Sequence, residues 1–84
     1  MERTYTIMLV EDERNILYGM KNAILCHKPQ VSDILTAENG REALELLEER
    51  VPDIIITDIR MPEVDGTELV RRIREQGYEM PVII

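Results

Sequence analysis

The chain has 84 residues, room for one small domain that buries only about 60–65% of the surface its unfolded form exposes. Its formal net charge is −7 and its pI about 4.6, which argues against a nucleic-acid binder, since that task needs a basic face. No apolar run is long enough to span a membrane, Met1-Glu2-Arg3-Thr4 lacks a secretory pattern, and the single cysteine, Cys26, has no intramolecular partner, so a reducing cytoplasm is expected.

Thr6–Val10 reads as the first strand, apolar and partly β-branched, and it runs directly into Glu11-Asp12. The first helix is predicted over Glu13–Lys28, where Ile16, Leu17, Met20, Ala23, Ile24 and Leu25 recur at helical spacing. Pro29 ends it, because the residue before a proline disfavours helix. Glu13 fits an acid in the first helical turn, and His27, beside Lys28, fits a C-terminal cation better than a phosphate carrier. Cys26 reads as a packed or half-exposed small apolar residue.

Asp33–Ala37 is a short second strand, Glu38-Asn39-Gly40 a turn, and Arg41–Arg50 a second helix with Ala43, Leu44 and Leu47 inward. After Pro52-Asp53 comes Ile54–Thr57, apolar on both faces as a central parallel strand should be. It ends on Asp58, followed by a loop with Pro62 and Gly66 that allow a tight bend. Asp65 reads as a loop or cap residue before the third helix, Gly66–Gln76, whose inner residues are Leu69, Val70 and Ile73. Arg71, Arg72 and Arg74 form a basic stripe on that helix, expected to pair with Glu68 and Glu75, and Gly77 stops the helix. Met80–Ile84 begins a fourth strand, with Pro81 at its start where proline is tolerated.

Strict alternation of strand and helix predicts an α/β, doubly wound parallel sheet with right-handed crossovers, built from four strands and three helices. A chain that stops inside an apolar strand leads us to expect a truncated domain with further elements after Ile84. The bare outer edge of that strand, and apolar residues such as Ile16, Met20 and Ile24 left partly uncovered, predict self-association as a homodimer.

Two strand ends tipped with carboxylate could bring Glu11, Asp12 and Asp58 around one point. A carboxylate can attack phosphorus, and a hard divalent cation with oxygen ligands relieves the repulsion among three acids and an incoming phosphate. Met8-Leu9-Val10-Glu11-Asp12-Glu13, Ala37-Glu38-Asn39-Gly40, Asp53-Ile54-Ile55-Ile56-Thr57-Asp58-Ile59-Arg60-Met61-Pro62 with Asp65-Gly66, and Pro81-Val82-Ile83-Ile84 stand in the order of one known family. With these pieces in register, the chain resembles the receiver domain of two-component response regulators. The resemblance implies a flavodoxin-like sheet, here incomplete, with residues 1–84 as the N-terminal portion of the domain. In the full sheet order 2-1-3-4-5 the first and third strands are neighbours.

It further implies that Asp58 accepts a phosphoryl group from a sensor histidine kinase. Glu11, Asp12, Asp58 and the backbone carbonyl of Arg60 would hold Mg²⁺. The chain would then be an input module for an output domain, one that binds DNA, rather than a dedicated enzyme. Glu11 stands where aspartate is usual in the family. The family's hydroxyl residue at the end of the fourth strand and lysine at the end of the fifth have no counterpart before Ile84. Two other classes are open. An aspartyl-nucleophile phosphatase would carry a second aspartate two residues after the nucleophile, where this chain has Arg60. A purely structural interaction module would leave Asp58 as a loop or cap acid without chemistry.

Overall fold

The computed structural model describes residues 3–61 and 63–84. In chain order the elements are β1 (Tyr5–Val10), α1 (Arg14–His27), β2 (Val31–Ala37), α2 (Gly40–Glu49), β3 (Ile54–Thr57), α3 (Gly66–Glu75) and β4 (Val82–Ile83). All four strands pair in parallel, in the order β2-β1-β3-β4. The chain winds outward in opposite directions on the two sides of β1. β1 is therefore central, and its C-terminal end is the point where an α/β sheet opens a crevice. The register aligns Val10 with Ala37 on one side and Thr57 on the other, so three strands end level.

Pleating separates the apolar side chains into two unequal cores. On one face Met8, Val10, Ala37 and Ile55 meet Ala43 and Leu47 of α2, Leu69 and Ile73 of α3, and Met61 from the loop after β3. On the other, Leu9 and Ile34 meet Leu17 of α1. Two helices cover the first face and one covers the second. This division explains why the six apolar residues expected to face inward on α1 are not equally covered. Leu17 is buried, Met20 and Ile24 are half-buried, and Ile16, Ala23 and Leu25 are exposed. Cys26, expected to be packed or half-exposed, is exposed as well. It follows Leu17 by nine positions, and at about 100° per residue that is half a turn away from the sheet.

β2 starts at Val31, earlier than the expected Asp33. A register shift between Tyr5 and Thr6 passes over Ser32, so Val31 pairs with Tyr5 and Asp33 with Thr6. β4 is restricted to Val82–Ile83 rather than Met80–Ile84, because only these two residues pair, with Ile55 and Ile56. α1 is shorter by one residue at each end, with Glu13 at its N-cap rather than in its first turn, and α2 begins and ends one residue early. α3 ends at Glu75. Gly77, with φ of 89°, terminates it as expected: its N–H bonds to Arg74 O and that of Tyr78 to Ile73 O, a Schellman motif. The basic stripe on α3 is only partly paired as expected. Arg71 reaches Glu68 and Glu75, Arg72 reaches Glu68, and Arg74 instead donates to the carbonyl of Tyr78. The guanidiniums of Arg71 and Arg72 hold the Glu68 carboxyl down at about 2.

The inequality of the two faces has a measurable counterpart. Leu47→Ala empties a fully buried site and should cost about 2–5 kcal/mol in urea unfolding. Ile16→Ala should stay within about 0.5 kcal/mol of wild type, since Ile16 is 46% exposed.

Candidate functional site

The level ends of β1, β2 and β3 place the acids. Beyond the strands the ladder continues for one more bond on each side of β1: Glu11 N–H donates to Ala37 O at 3.0 Å, and Asp58 N–H donates to Val10 O at 3.1 Å. The Cα atoms of Glu11 and Asp58 are thereby fixed on neighbouring strands. Oxygens of Glu11, Asp12 and Asp58 lie within 4.8 Å of one another, as the sequence predicts. They line a shallow pocket with Val10, Glu13, Ile16, Met20, Ile56 and Thr57. Ile16 and Met20 make its apolar wall on the side of α1.

Glu11 is half-buried, and its carboxyl is pushed above the usual carboxylate range. Burial is the first cause, and the charges of Asp58 and Asp12 add to it. A hydrogen bond from Glu13 N–H to Glu11 Oε1, at 3.2 Å, acts in the opposite sense. No lysine or arginine is among the described residues lining the pocket. Three carboxylates with all-oxygen donor atoms and no local counter-charge fit a hard divalent cation such as Mg²⁺, which takes a few protein oxygens and keeps several waters. Arg60 is exposed and is not among the residues that line the pocket. Asp65 is not a ligand candidate. It caps α3, its Oδ1 accepting from Glu68 N–H at 2.9 Å.

The loop from Asp58 to Asp65 is held at several points. Met61 is buried in the larger core, and Gly66 N–H donates to Ile59 O at 2.9 Å. The sequence assigns Gly66 to a tight bend, but the reason for glycine is space. A Cβ there would lie 2.4 Å from Asp58 O and 2.9 Å from Ile59 Cα. Pro62, assigned the same role, lies outside the described residues. Thr57 is a residue that sequence reasoning missed. It is buried at the base of the pocket, and its hydroxyl donates to Asp58 O at 3.0 Å. A lone polar residue ending an isoleucine run was the available signal.

Residues 7–84 match the family model of the response regulator receiver domain. This chain belongs to the response regulator receiver family. An uncharacterised response regulatory protein of Vibrio cholerae is 34% identical over 84 residues, covering 100% of this chain and 32% of the relative. The uncharacterised transcriptional regulatory protein YesN of Bacillus subtilis is 44% identical over 80 residues, covering 95% of this chain and 22% of the relative. The chain thus spans a third or less of these relatives. The receiver domain of the Francisella response regulator 1452 superimposes with a TM-score of 0.85 at 28% identity, covering 94% of this chain and 63% of that one. The α/β receiver fold is thus shared along the described chain. No described helix is long and apolar enough to cross a membrane.

The raised Glu11 carboxyl sets the sign of a pH effect. The folded chain binds that proton more tightly than the unfolded chain does, so ionising the cluster lowers stability as pH rises through the folded value. Asp58→Asn removes one of the repelling charges. It should lower the Glu11 midpoint, followed by carboxyl carbon shifts, and should raise the urea midpoint of the metal-free protein at neutral pH.

Proposed function

We propose that Asp58 is the phosphoacceptor of this receiver and that a sensor histidine kinase is the donor. The carrying observation is the cluster of Glu11, Asp12 and Asp58 oxygens within 4.8 Å, in a chain matched to the family over residues 7–84. A carboxylate oxygen of Asp58 attacks the phosphorus of a phosphohistidine. The new O–P bond forms as the P–N bond breaks, and the imidazole leaves with the electron pair and takes up a proton. Asp58 is suited to the attack because its N–H is tied to Val10 and its carbonyl to the Thr57 hydroxyl, leaving its carboxylate free in the pocket. Glu11 and Asp12, with Asp58 and the Arg60 carbonyl, hold Mg²⁺. When bound, this ion supplies charge neutralisation for the acids and the phosphoryl oxygens. Positioning and charge balance are the main demands of such a transfer. No second aspartate follows Asp58 by two positions, and Arg60 lies outside the pocket, which disfavours a phosphatase.

On this reading the receiver works in the cytoplasm and passes its phosphorylation state to an output domain that binds DNA, in keeping with the transcriptional regulatory relative. Self-association through the outer edge of β4 is also proposed, supported by Ile83 and Ile84, which are 50% and 58% exposed beside that edge.

Two measurements check these statements. With a phosphorylated kinase and Mg²⁺, acyl-phosphate mapping by mass spectrometry should find label on Asp58 alone, and Asp58→Asn should abolish it; label on Asp12 or Asp65 refutes the assignment. Sedimentation equilibrium at micromolar concentration should show a concentration-dependent dimer. A monomer throughout refutes self-association.

A further inference from the structure

The loop that follows Asp58 is wedged between the first residues of two helices. Gly66, on α3, closes it from its own side. Gly40, the first residue of α2, closes it from the neighbouring βα unit. A Cβ on Gly40 would lie 2.2 Å from Val64 O, 2.7 Å from Val64 Cβ and 2.8 Å from Val64 Cγ1. Its backbone is not in the left-handed region, so an alanine would meet no conformational objection there. The glycine is required by space alone, and the nearest obstacle is loop backbone rather than the tip of a flexible side chain.

The start of α2 is firm enough to act as a stop. Asn39 Oδ1 accepts from Glu42 N–H at 2.8 Å, and Glu42 Oε1 accepts from Glu38 N–H at 3.1 Å. The residue after Gly40 grips the same loop one position earlier, through Arg41 Nε to Glu63 Oε2 at 3.1 Å. Glu63 has φ of 63°, a conformation uncommon for any residue but glycine. At its other end the loop is pinned by Met61 in the core and by Gly66 N–H on Ile59 O. Arg60 lies between these anchors.

The geometry points to Gly40 as a positioning residue for the acid pocket: the space it leaves sets the height of the loop that follows Asp58 and carries Arg60, from an element that contributes no ligand. This inference rests on the proposed cation site. An alanine methyl would force Val64 back by about 1 Å to reach ordinary contact. Such a shift exceeds the roughly 0.5 Å tolerance of a preorganised site. Loss of an outer-shell partner of a ligand weakens metal affinity about 10–100-fold, and displacement of the loop is expected at the lower end of that range.

The test uses the ¹⁵N-labelled 84-residue chain and Mg²⁺ alone. Gly40→Ala should raise the Mg²⁺ dissociation constant, read from the Asp58 and Arg60 amides, about tenfold. It should also speed hydrogen exchange of the Gly66 amide while leaving that of Glu11, bonded to Ala37, unchanged. A general packing role would slow or speed both amides together and leave the dissociation constant of the folded protein alone; that result overturns the inference. Should Gly40→Ala fail to fold, the wild-type titration decides. Gly40 and Val64 amides moving with the same midpoint as Arg60 support the coupling, and silence at both overturns it. If the wild type shows no Mg²⁺ response at Asp58, the cation reading fails by itself, and exchange at Gly66 in Gly40→Ala still judges the role of Gly40.

Discussion

The parallel pairing of β1 with both β2 and β3 is the constraint on which the rest depends. Because Val10 stands opposite Ala37 and Thr57, the next residues, Glu11 and Asp58, leave the sheet side by side. Each is tied back by one further ladder bond. A one-residue slip of β3 would turn Ile55 from the larger core toward α1 and carry Asp58 away from Glu11, since side chains alternate between faces. The apolar pattern that secures the core therefore also secures the acid cluster. The energy comes from burial of residues such as Met8, Ile55 and Leu69, which is then set against the repulsion among three carboxylates.

The cluster is an arrangement that folding alone would not select. Glu11 is pushed toward its neutral form by burial and by its neighbours, with no lysine or arginine at the described pocket wall to compensate. Several other acids have a guanidinium partner, as Asp33 has in Arg50 and Glu68 in Arg71 and Arg72. Convergence of three acids within 4.8 Å, none of them in an ion pair among the described residues, separates ordinary surface charge from a site poised for a cation.

Much of this was legible in the residues. The isoleucine run ending on Asp58, and the apolar run ending on Glu11-Asp12, marked the two strand ends and hence the cluster. The cap at Asp65 and the stop at Gly77 also followed from local chemistry. What could not be read were consequences of coverage and close approach. Periodicity placed Ile16, Ala23 and Leu25 with Leu17 on one stripe, but a single helix lying on a sheet buries only the residues nearest it. The need for glycine at positions 40 and 66 comes from contacts with Val64 and Asp58, which belong to other segments and leave no trace in local sequence. The β2 register shift at Ser32 likewise depends on how Tyr5 and Thr6 meet it.

The uneven cover of the sheet bears on how the molecule opens. α1 owns one fully buried side chain, Leu17, whereas α2 and α3 share a continuous core with Met8, Val10 and Ile55. Native proteins open in cooperative units of different free energy, and the unit with the fewest buried apolar contacts opens first. Among the three helices α1 is that unit. Its Ile16 and Met20 form one wall of the acid pocket, while the strand ends that carry Glu11 and Asp58 belong to the durable part. Transient lifting of α1 thus widens access to Asp58 while the ladder bonds of Glu11 and Asp58 persist, giving the site a yielding door on a fixed frame.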